Sequence, residues 1–411
     1  MPFFVVHIIA QVYFMHQSHL QFIAKEELVL RRQKIQAAML HAGAEGCLLS
    51  TSVNLLYMTG QVINGYVYIP AEGEAWHFIR RPAGMTGTSL RYIRKVEGIP
   101  GLLADLGLTK PSTLMVESGE MSHMDWLRIQ ACFPDATLLN GTTELRAVRS
   151  VKTDYECSLL RASAVAHAKA YARVPSVFKP GMTDVAFSIE IERLMRLEGN
   201  KGLFRTFGDM EAFFGSVLTG ENASVASPYD FALGGAGDPT NPIGANGSVL
   251  KEGHAVMIDM CGNFTGYLDD MTRTYSIGKL TEKAYKAHQV AIDIEDAIQE
   301  AMKAGVVCET LYDLAVSIAK KAGLDDCFMG TTQQAKFVGH GVGLVINEPP
   351  VLATRSRDIL QPNMVIAVEP KFVIEGVGAV GLEDTYIVGE TGSEKITHLE
   401  SGIINLLDYA H

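Results

Sequence analysis

The sequence feature that most restricts the fold is an internal repeat in the second half of the chain. One helix-like pattern of apolar residues runs from Gly181 to Gly199, and another runs from Gly305 to Gly323. Each is followed by a glycine-rich stretch, then by a strand-like run that ends in an acid, and then by a run with an acidic pair. This self-similarity predicts two copies of one α+β unit that face each other about a pseudo-twofold axis.

The acidic residues of the repeat lie on predicted β-hairpins. An apolar run ends at Asp259, and the run that follows carries the acidic pair 269–270. Because strand side chains alternate between faces, only one member of this pair can point in the direction of Asp259. In the second copy an apolar run ends at Glu369, and the acidic pair is 383–384. The pseudo-twofold predicts that the two acid-bearing hairpins meet at the axis.

A histidine between the two hairpins completes a cluster with metal-binding chemistry. His340 stands between two glycines, which let the backbone come close to a neighbouring group. The cluster has four carboxylates and one imidazole. The four carboxylates would repel one another strongly unless cations lie between them, and two divalent ions would balance the charge. Oxygen ligands with a single imidazole favour manganese, cobalt or iron over a closed structural zinc site. The Gly-, Pro- and Asn-rich segment 220–254 is expected to border this site as a loop.

Composition and charge exclude several kinds of partner. The 411 residues are 47% apolar and 20% charged, which is ordinary globular composition and sufficient for two or three domains. A net charge of −11 without any Lys- or Arg-rich run argues against nucleic acid and an anionic membrane surface as partners. The six cysteines have no paired spacing, which favours a reduced, cytoplasmic protein. The apolar stretch 2–15 is too short to span a bilayer, so we expect a soluble protein.

The chain before residue 150 predicts a separate, smaller domain. Short strand-like runs alternate there with helical patterns, which is typical of an α/β domain of about 120 residues. The strand-like runs are 47–50, 66–69, 76–79, 113–116 and 136–139, and the helical patterns are 26–43, 89–107 and 121–132. A charged stretch at 146–153 without periodicity precedes a long helical pattern from Asp154. We therefore predict an extension (1–25), an α/β domain (26–150) and an α+β domain (151–411).

These motifs resemble those of the pita-bread metallopeptidases of the creatinase and prolidase type. The resemblance is carried by five motifs in order. They are Ile258-Asp259, Asp270-Met-Thr-Arg-Thr274, Gly339-His-Gly-Val-Gly-Leu344, Val368-Glu369-Pro370 and Glu383-Asp384. In the first domain, Asn54-Leu-Leu-Tyr-Met-Thr-Gly60 and the junction 149–156 resemble the members of this family that carry an extra α/β domain. The resemblance covers roughly residues 26–400 and implies the pita-bread fold for the α+β domain.

The resemblance implies a dinuclear metal-dependent exopeptidase and a role for each of five residues. Asp259 would bind one ion, and His340 and Glu369 would bind the other. Asp270 and Glu383 would bridge both ions, which are expected to be manganese, with cobalt, iron or zinc as alternatives. A hydroxide held between the ions would attack N-terminal Xaa-Pro amide bonds of short peptides. Glu369 would also carry a proton from the nucleophile to the leaving nitrogen. A homodimer is expected by the same analogy.

Several positions depart from the Xaa-Pro enzymes of this family. Asn347 replaces a histidine that usually lies seven residues after the ligand histidine, and Lys336 replaces another that lies four residues before it. A third usual histidine is missing from the segment 220–229, and Gly381 replaces an arginine. We predict that Asn347 and Lys336 act as catalytic residues in these places. Neither can titrate near neutral pH as a histidine does.

Two further hypotheses remain open at the level of sequence. A metal-dependent hydrolase or lyase of a small non-peptide metabolite would account for the missing substrate-binding histidines, since the fold is also used for such chemistry. A non-catalytic binding module on the same fold is the other hypothesis. The five retained ligands argue against it, because mutually repelling side chains have little reason to persist without an ion.

Overall fold

The computed structural model describes residues 23–206, 215–229, 233–235 and 243–410. The chain divides into two compact units, Met1–Val148 and Arg149–His411. Most of the predicted extension 1–25 lies outside the described residues. Within the described ranges, no helix combines the length and the apolar character needed to cross a bilayer. All six cysteines are unpaired and buried.

The first unit contains one mixed sheet with helices around it. Its strands are β1 (Gly46–Leu49), β2 (Asn64–Pro70), β3 (Trp76–Arg81), β4 (Leu90–Tyr92), β5 (Thr113–Val116) and β6 (Thr137–Asn140). Its helices are α1 (Lys25–Ala42), α2 (Ser52–Thr59), α3 (Ile99–Asp105) and α4 (His123–Cys132), and α5 (Thr142–Ser150) extends across the unit boundary. The strand order is β4-β3-β2-β1-β5-β6, with β1 parallel to β5 and antiparallel to β2. The α1 helix ends at Gly43, whose φ of 71° is left-handed, as expected for a C-terminal glycine cap.

One sequence-based prediction in this unit was wrong. The pattern 89–107 is not one helix, because Leu90–Tyr92 form a strand parallel to β3 and the helix begins only at Ile99. The stretch 146–153, which shows no apolar periodicity, contributes its first half to α5. The buried face of α5 includes the polar residues Thr142 and Arg149, which a search for apolar periodicity does not count.

The first half of the second unit contains two helices and an antiparallel ladder. The helices are α6 (Asp154–Tyr171) and α7 (Asp184–Leu197), and the strands are β7 (Gly215–Thr219), β8 (Ala255–Asn263) and β9 (Leu268–Ser276). A capping box starts α6, in which the Thr153 side chain accepts from the Glu156 amide and the Glu156 side chain accepts from the Thr153 amide. β8 pairs with β9 over its whole length and forms the acid-bearing hairpin that the sequence pattern predicted.

The second half repeats this order of elements. Its helices are α8 (Glu282–Ala301) and α9 (Cys308–Ala322). Its strands are β10 (Phe337–Gly341), β11 (Glu348–Ala353), β12 (Val365–Val368), β13 (Lys371–Ile374), β14 (Gly378–Gly381), β15 (Asp384–Val388), β16 (Ser393–Lys395) and β17 (Ile404–Asn405). The sheet order is β11-β10-β12-β15-β16, β13 and β14 form a separate hairpin, and β17 joins the edge of β9. The predicted α+β fold with two similar halves is confirmed.

The two halves of the second unit are joined by backbone hydrogen bonds at the acidic residues. Thr272 on β9 and Glu383, directly before β15, form an isolated antiparallel bridge. The Glu383 amide donates to the Thr272 carbonyl at 3.1 Å, and the Thr272 amide donates to the Glu383 carbonyl at 3.3 Å. The Thr385 hydroxyl donates to the Asp270 carbonyl at 2.8 Å. These contacts hold the two acid-bearing segments side by side.

Candidate metal centre

An open cleft of about 470 Å³ lies along this junction. All five residues that the sequence predicts as metal ligands line it, together with the amide of Asn347. The five are Asp259, Asp270, His340, Glu369 and Glu383. Asp270, His340, Glu369 and Glu383 are buried, and Asp259 is partly exposed. The fold therefore brings together acids that are more than a hundred residues apart in the chain.

The pleat of the first hairpin selects which acid faces the cleft. In the β8–β9 ladder Asp259 pairs with Thr272, and Cys261 pairs with Asp270. The residue before Asp270, Asp269, points to the opposite face, as the alternation of strand side chains predicts. There its Oδ2 lies 2.8 Å from Nδ1 of His167, and both side chains are fully buried.

The second half uses the same arrangement for its acidic pair. Glu383 faces the cleft, while Asp384 accepts a hydrogen bond from the Arg273 guanidinium at 2.8 Å. The Lys395 ammonium lies 2.5 Å from the other oxygen of Asp384. In each half, one acid of the pair is therefore held by a basic side chain behind the sheet and the other is left for the cleft.

The tautomer of His340 is set by a backbone carbonyl. Its Nδ1 lies 3.1 Å from the Gly341 oxygen, which can only accept, so Nδ1 carries the proton. Nε2 then presents its lone pair to the cleft. Burial lowers the pKa of His340, which favours this neutral form. A lone pair that faces carboxylates is repelled unless a cation lies between them.

The donor atoms around His340 have distances that suit one metal ion. From Nε2 the distances are 3.4 Å to Oε1 of Glu369, 3.9 Å to Oε1 of Glu383 and 4.0 Å to Oδ2 of Asp270. Two atoms that each bind one ion at about 2.1 Å can be at most about 4.2 Å apart. In addition, Oε1 of Glu383 is buried without a hydrogen-bond partner among the described residues. These residues therefore fit a divalent cation.

Lys371 enters the same cluster and was not predicted from the sequence. Its ammonium donates to Oε2 of Glu369 at 2.7 Å, to Oδ2 of Asp259 at 2.9 Å and to Oε2 of Glu383 at 3.2 Å. The lysine is only 2% exposed. A signal was present, because Lys371 follows Glu369 by two residues, and such residues share a face in an extended chain.

Burial, together with the charges of neighbouring acids, raises the pKa values of the acids in the cluster. Burial raises the pKa of Asp270, and the charges of Glu383 and Asp259 raise it further. Burial likewise raises the pKa of Glu369, and it raises the pKa of Glu383 to about 8. Burial alone would lower the pKa of Lys371, but the three carboxylates outweigh this and raise it well above that of free lysine. One ammonium thus leaves the acids incompletely neutralised.

The remaining predicted site residues occupy different positions. Asn347 is half-buried and lines the cleft, whereas Lys336 is exposed directly before β10 and is not among the described residues of the lining. Gly381 lies opposite Lys371 in the β13–β14 ladder. Of the segment 220–254, Gly220–Ser224 form a short 3-10 helix, while residues 230–232 and 236–242 lie outside the described residues. A catalytic role for Lys336 and a bordering role for this segment stay predictions.

A two-fold α+β unit with carboxylates and an imidazole between its halves defines a pita-bread catalytic unit of the metallopeptidase class. The model of metallopeptidase family M24 matches residues 158–390, and that of the creatinase/prolidase N-terminal domain matches residues 31–151. The chain therefore belongs to metallopeptidase family M24, in its creatinase and prolidase type. Enzymes of this family depend on divalent metal ions.

Several proteins are similar to most of this chain at low identity. The uncharacterized peptidase YqhT of Bacillus subtilis is 25% identical over 92% of this chain and 100% of its own length. The probable dipeptidase PepE of Mycobacterium tuberculosis is 27% identical over 92% of this chain and 96% of its own length. The structure of a Xaa-Pro dipeptidase from Bacillus anthracis has a TM-score of 0.75 at 24% identity, covering 92% of this chain and 99% of that one. This structural likeness confirms the fold.

Proposed function

We propose that this chain is a metal-dependent dipeptidase that hydrolyses the N-terminal amide bond of short peptides. The observation that carries the proposal is Nε2 of His340, which lies within 4.0 Å of one oxygen each of three buried carboxylates in an open cleft. The names of its relatives, a probable dipeptidase and a Xaa-Pro dipeptidase, support dipeptides as the substrate class.

Different residues of the cluster would have different roles in hydrolysis. Asp270, His340 and Glu383 would hold the metal, which when bound supplies an activated water and polarises the scissile carbonyl. Glu369 is placed to hold a proton on Oε1, because its Oε2 is already engaged by Lys371. The raised pKa of Glu369 suits an acid that accepts a proton and returns it to the leaving nitrogen. Asn347 would donate its amide hydrogens to a carbonyl or carboxylate oxygen of the substrate.

A second candidate function is hydrolysis or elimination on a small non-peptide metabolite. The observation that favours it is Asn347, which lines the cleft at the position where Xaa-Pro enzymes of this family usually have a histidine. A substrate other than an Xaa-Pro peptide would have no need of that histidine. The requirement for proline, the preference for manganese, the homodimer and the cytoplasmic location all stay predictions from the sequence.

The test is a peptide assay with the purified full-length chain. We expect turnover of Xaa-Pro or Xaa-Ala dipeptides and tripeptides with Mn²⁺ or Co²⁺, and loss of turnover with a chelator. If metal binds tightly and no peptide is cleaved, the dipeptidase proposal is wrong and the metabolite candidate is favoured.

Asp270→Ala tests the ligand assignment directly. We expect this variant to lose its bound metal, because Asp270 is one of the residues that would hold the ion beside His340. Its kcat/KM should fall by at least about 10³-fold. Asn347→Ala is the matched control, since it alters the same cleft but should retain wild-type metal content. Elemental analysis of both variants after metal loading measures the difference. Undiminished metal in Asp270→Ala would refute the assignment of Asp270 as a ligand.

A further inference from the structure

We propose that this centre binds a single divalent ion and that the Lys371 ammonium takes the place of a second one. The inference rests on the proposed metal dependence and specifies the composition of the site. It differs from the expectation of two ions that the five acidic and imidazole ligands suggest, because that expectation did not include Lys371.

The position of Lys371 is fixed by its strand. It is the first residue of β13, pairs with Gly381 on β14, and its carbonyl accepts a hydrogen bond from the Met329 amide at 2.8 Å. With 2% of its surface exposed, the side chain is enclosed by the protein. Withdrawing the ammonium from the acids would leave a buried charge without a partner, which costs several kcal/mol.

The ammonium occupies one side of the cluster. It lies 2.7 to 3.2 Å from one oxygen each of Asp259, Glu369 and Glu383. A divalent ion on these same oxygens would need to lie about 2.0–2.2 Å from each. An ion and an ammonium nitrogen cannot both sit among three oxygens at such distances. Oδ2 of Asp259 is therefore taken by the ammonium, and no oxygen of Asp259 lies within 4.0 Å of His340 Nε2, where the ion would be held.

The other side of the cluster is complete without those oxygens. Nε2 of His340 lies within 4.0 Å of one carboxylate oxygen from each of three residues, which are Asp270, Glu369 and Glu383. Glu369 and Glu383 use Oε2 for the ammonium and keep Oε1 for this side. Glu383 thus connects the ammonium to the ion through its two oxygens, whereas Oε1 of Glu369 lies beside the ion and is left for proton exchange.

Lys371 has a further consequence for Glu369. Because its Oε2 is held by the ammonium, the carboxylate has a fixed orientation, and only Oε1 is left to exchange a proton. Lys371 is accordingly a positioning residue for Glu369. A neutral side chain at 371 would release both Glu369 and Asp259 for a second cation.

Metal counting on the full-length chain tests this inference. After loading with Mn²⁺ and dialysis, we expect one ion per wild-type chain by elemental analysis and the spectrum of isolated Mn²⁺ by electron paramagnetic resonance. Lys371→Ala should bind two ions and show spin coupling between them, and Lys371→Arg should still bind one. The exposed Lys279→Ala is the matched control and should also bind one ion.

Asp259→Asn provides a second variant in case Lys371→Ala does not fold. It should keep the single ion, whereas loss of metal from this variant would make Asp259 a ligand and overturn the inference. Two coupled ions in the wild-type chain would also overturn it while leaving the proposed function intact. A wild-type chain that binds no ion would overturn both.

Discussion

Asn347 brings an uncharged amide into a cleft dominated by carboxylates, and its contribution can be measured separately from metal binding. We expect Asn347→Ala to lower kcat/KM for the best peptide by about 10-fold, because one hydrogen bond to substrate is worth about 1–1.5 kcal/mol. Asn347→Asp should lower it more, since a further negative charge repels a substrate carboxylate. Steady-state kinetics at matched metal occupancy gives the values. Unchanged kcat/KM in both variants would show that Asn347 does not contact the substrate.

At this scale the sequence indicated that the four acids share one cleft, but it did not indicate the lysine that lies among them. Asp259, Asp270, Glu369 and Glu383 could be placed in one cleft because strand alternation and the repeat both restrict where an acid can point. Lys371 was missed because a lysine two residues after an acid is common on surfaces, and its burial depends on the tertiary packing of β13. Lys336 is the opposite case, because the sequence predicted it as a catalytic residue and its side chain is exposed. Its position in a motif does not reveal the direction of its side chain.

At the scale of elements, each acid-bearing segment is held from behind by a basic side chain. His167 on α6 contacts Asp269 of β9, and Arg273 of β9 contacts Asp384 of β15. The second contact crosses from one half of the repeat to the other. The elements that carry the ligands are therefore anchored by buried polar pairs that do not line the cleft. Such pairs are costly to break, because removing one partner leaves an uncompensated group.

The contact of α8 with β15 predicts a pH dependence of stability. Glu295 on α8 is buried beside Asp384 and Lys395, and burial together with the charge of Asp384 raises its pKa to about 8. The folded chain therefore keeps this proton up to about pH 8, whereas the unfolded chain releases it near the usual glutamate pKa. The resulting stabilisation is complete below that usual pKa and is lost as the pH rises towards 8.

Glu295→Gln imitates the protonated side chain at every pH. We expect it to match the wild type near pH 4.5 and to exceed its free energy of unfolding by at least about 1 kcal/mol at pH 8. Urea unfolding at both pH values measures the difference. Asp293→Asn on the exposed face of the same helix is the control and should show no such pH dependence. Equal destabilisation of Glu295→Gln at both pH values would show that Glu295 is ionised in the folded chain.

Element boundaries were predictable where a local signal marks them. The α1 and α9 helices end at Gly43 and Gly323, both in the left-handed conformation that glycine adopts without strain. The strand Leu90–Tyr92 had no such signal, because its three residues become a strand only through pairing with β3. The secondary structure of so short a segment depends on the strands that it contacts and not on its own sequence.

At the scale of the whole molecule, the repeat made the architecture predictable. Two similar units that each expose an acid-bearing hairpin can satisfy those acids together by facing one another, and the bridge between Thr272 and Glu383 joins them at that point. The composition of the shared site was less predictable, because it depends on which side chains reach the axis from strands outside the repeat motif. Lys371 on the β13–β14 hairpin is the instance that changes the expected chemistry.

Metal binding should stabilise the second unit and leave the first unaffected, because every cleft residue described above belongs to Arg149–His411. A ligand that binds only the folded state at 100 times its Kd adds about 2.7 kcal/mol, which corresponds to a rise in Tm of about 5–10 °C for a unit of this size. Hydrogen exchange with and without Mn²⁺ should show slower exchange in β8, β9 and β12 and unchanged exchange in the sheet of the first unit. Asp270→Ala should abolish the effect, and equal protection of both units in the wild type would contradict a local metal centre.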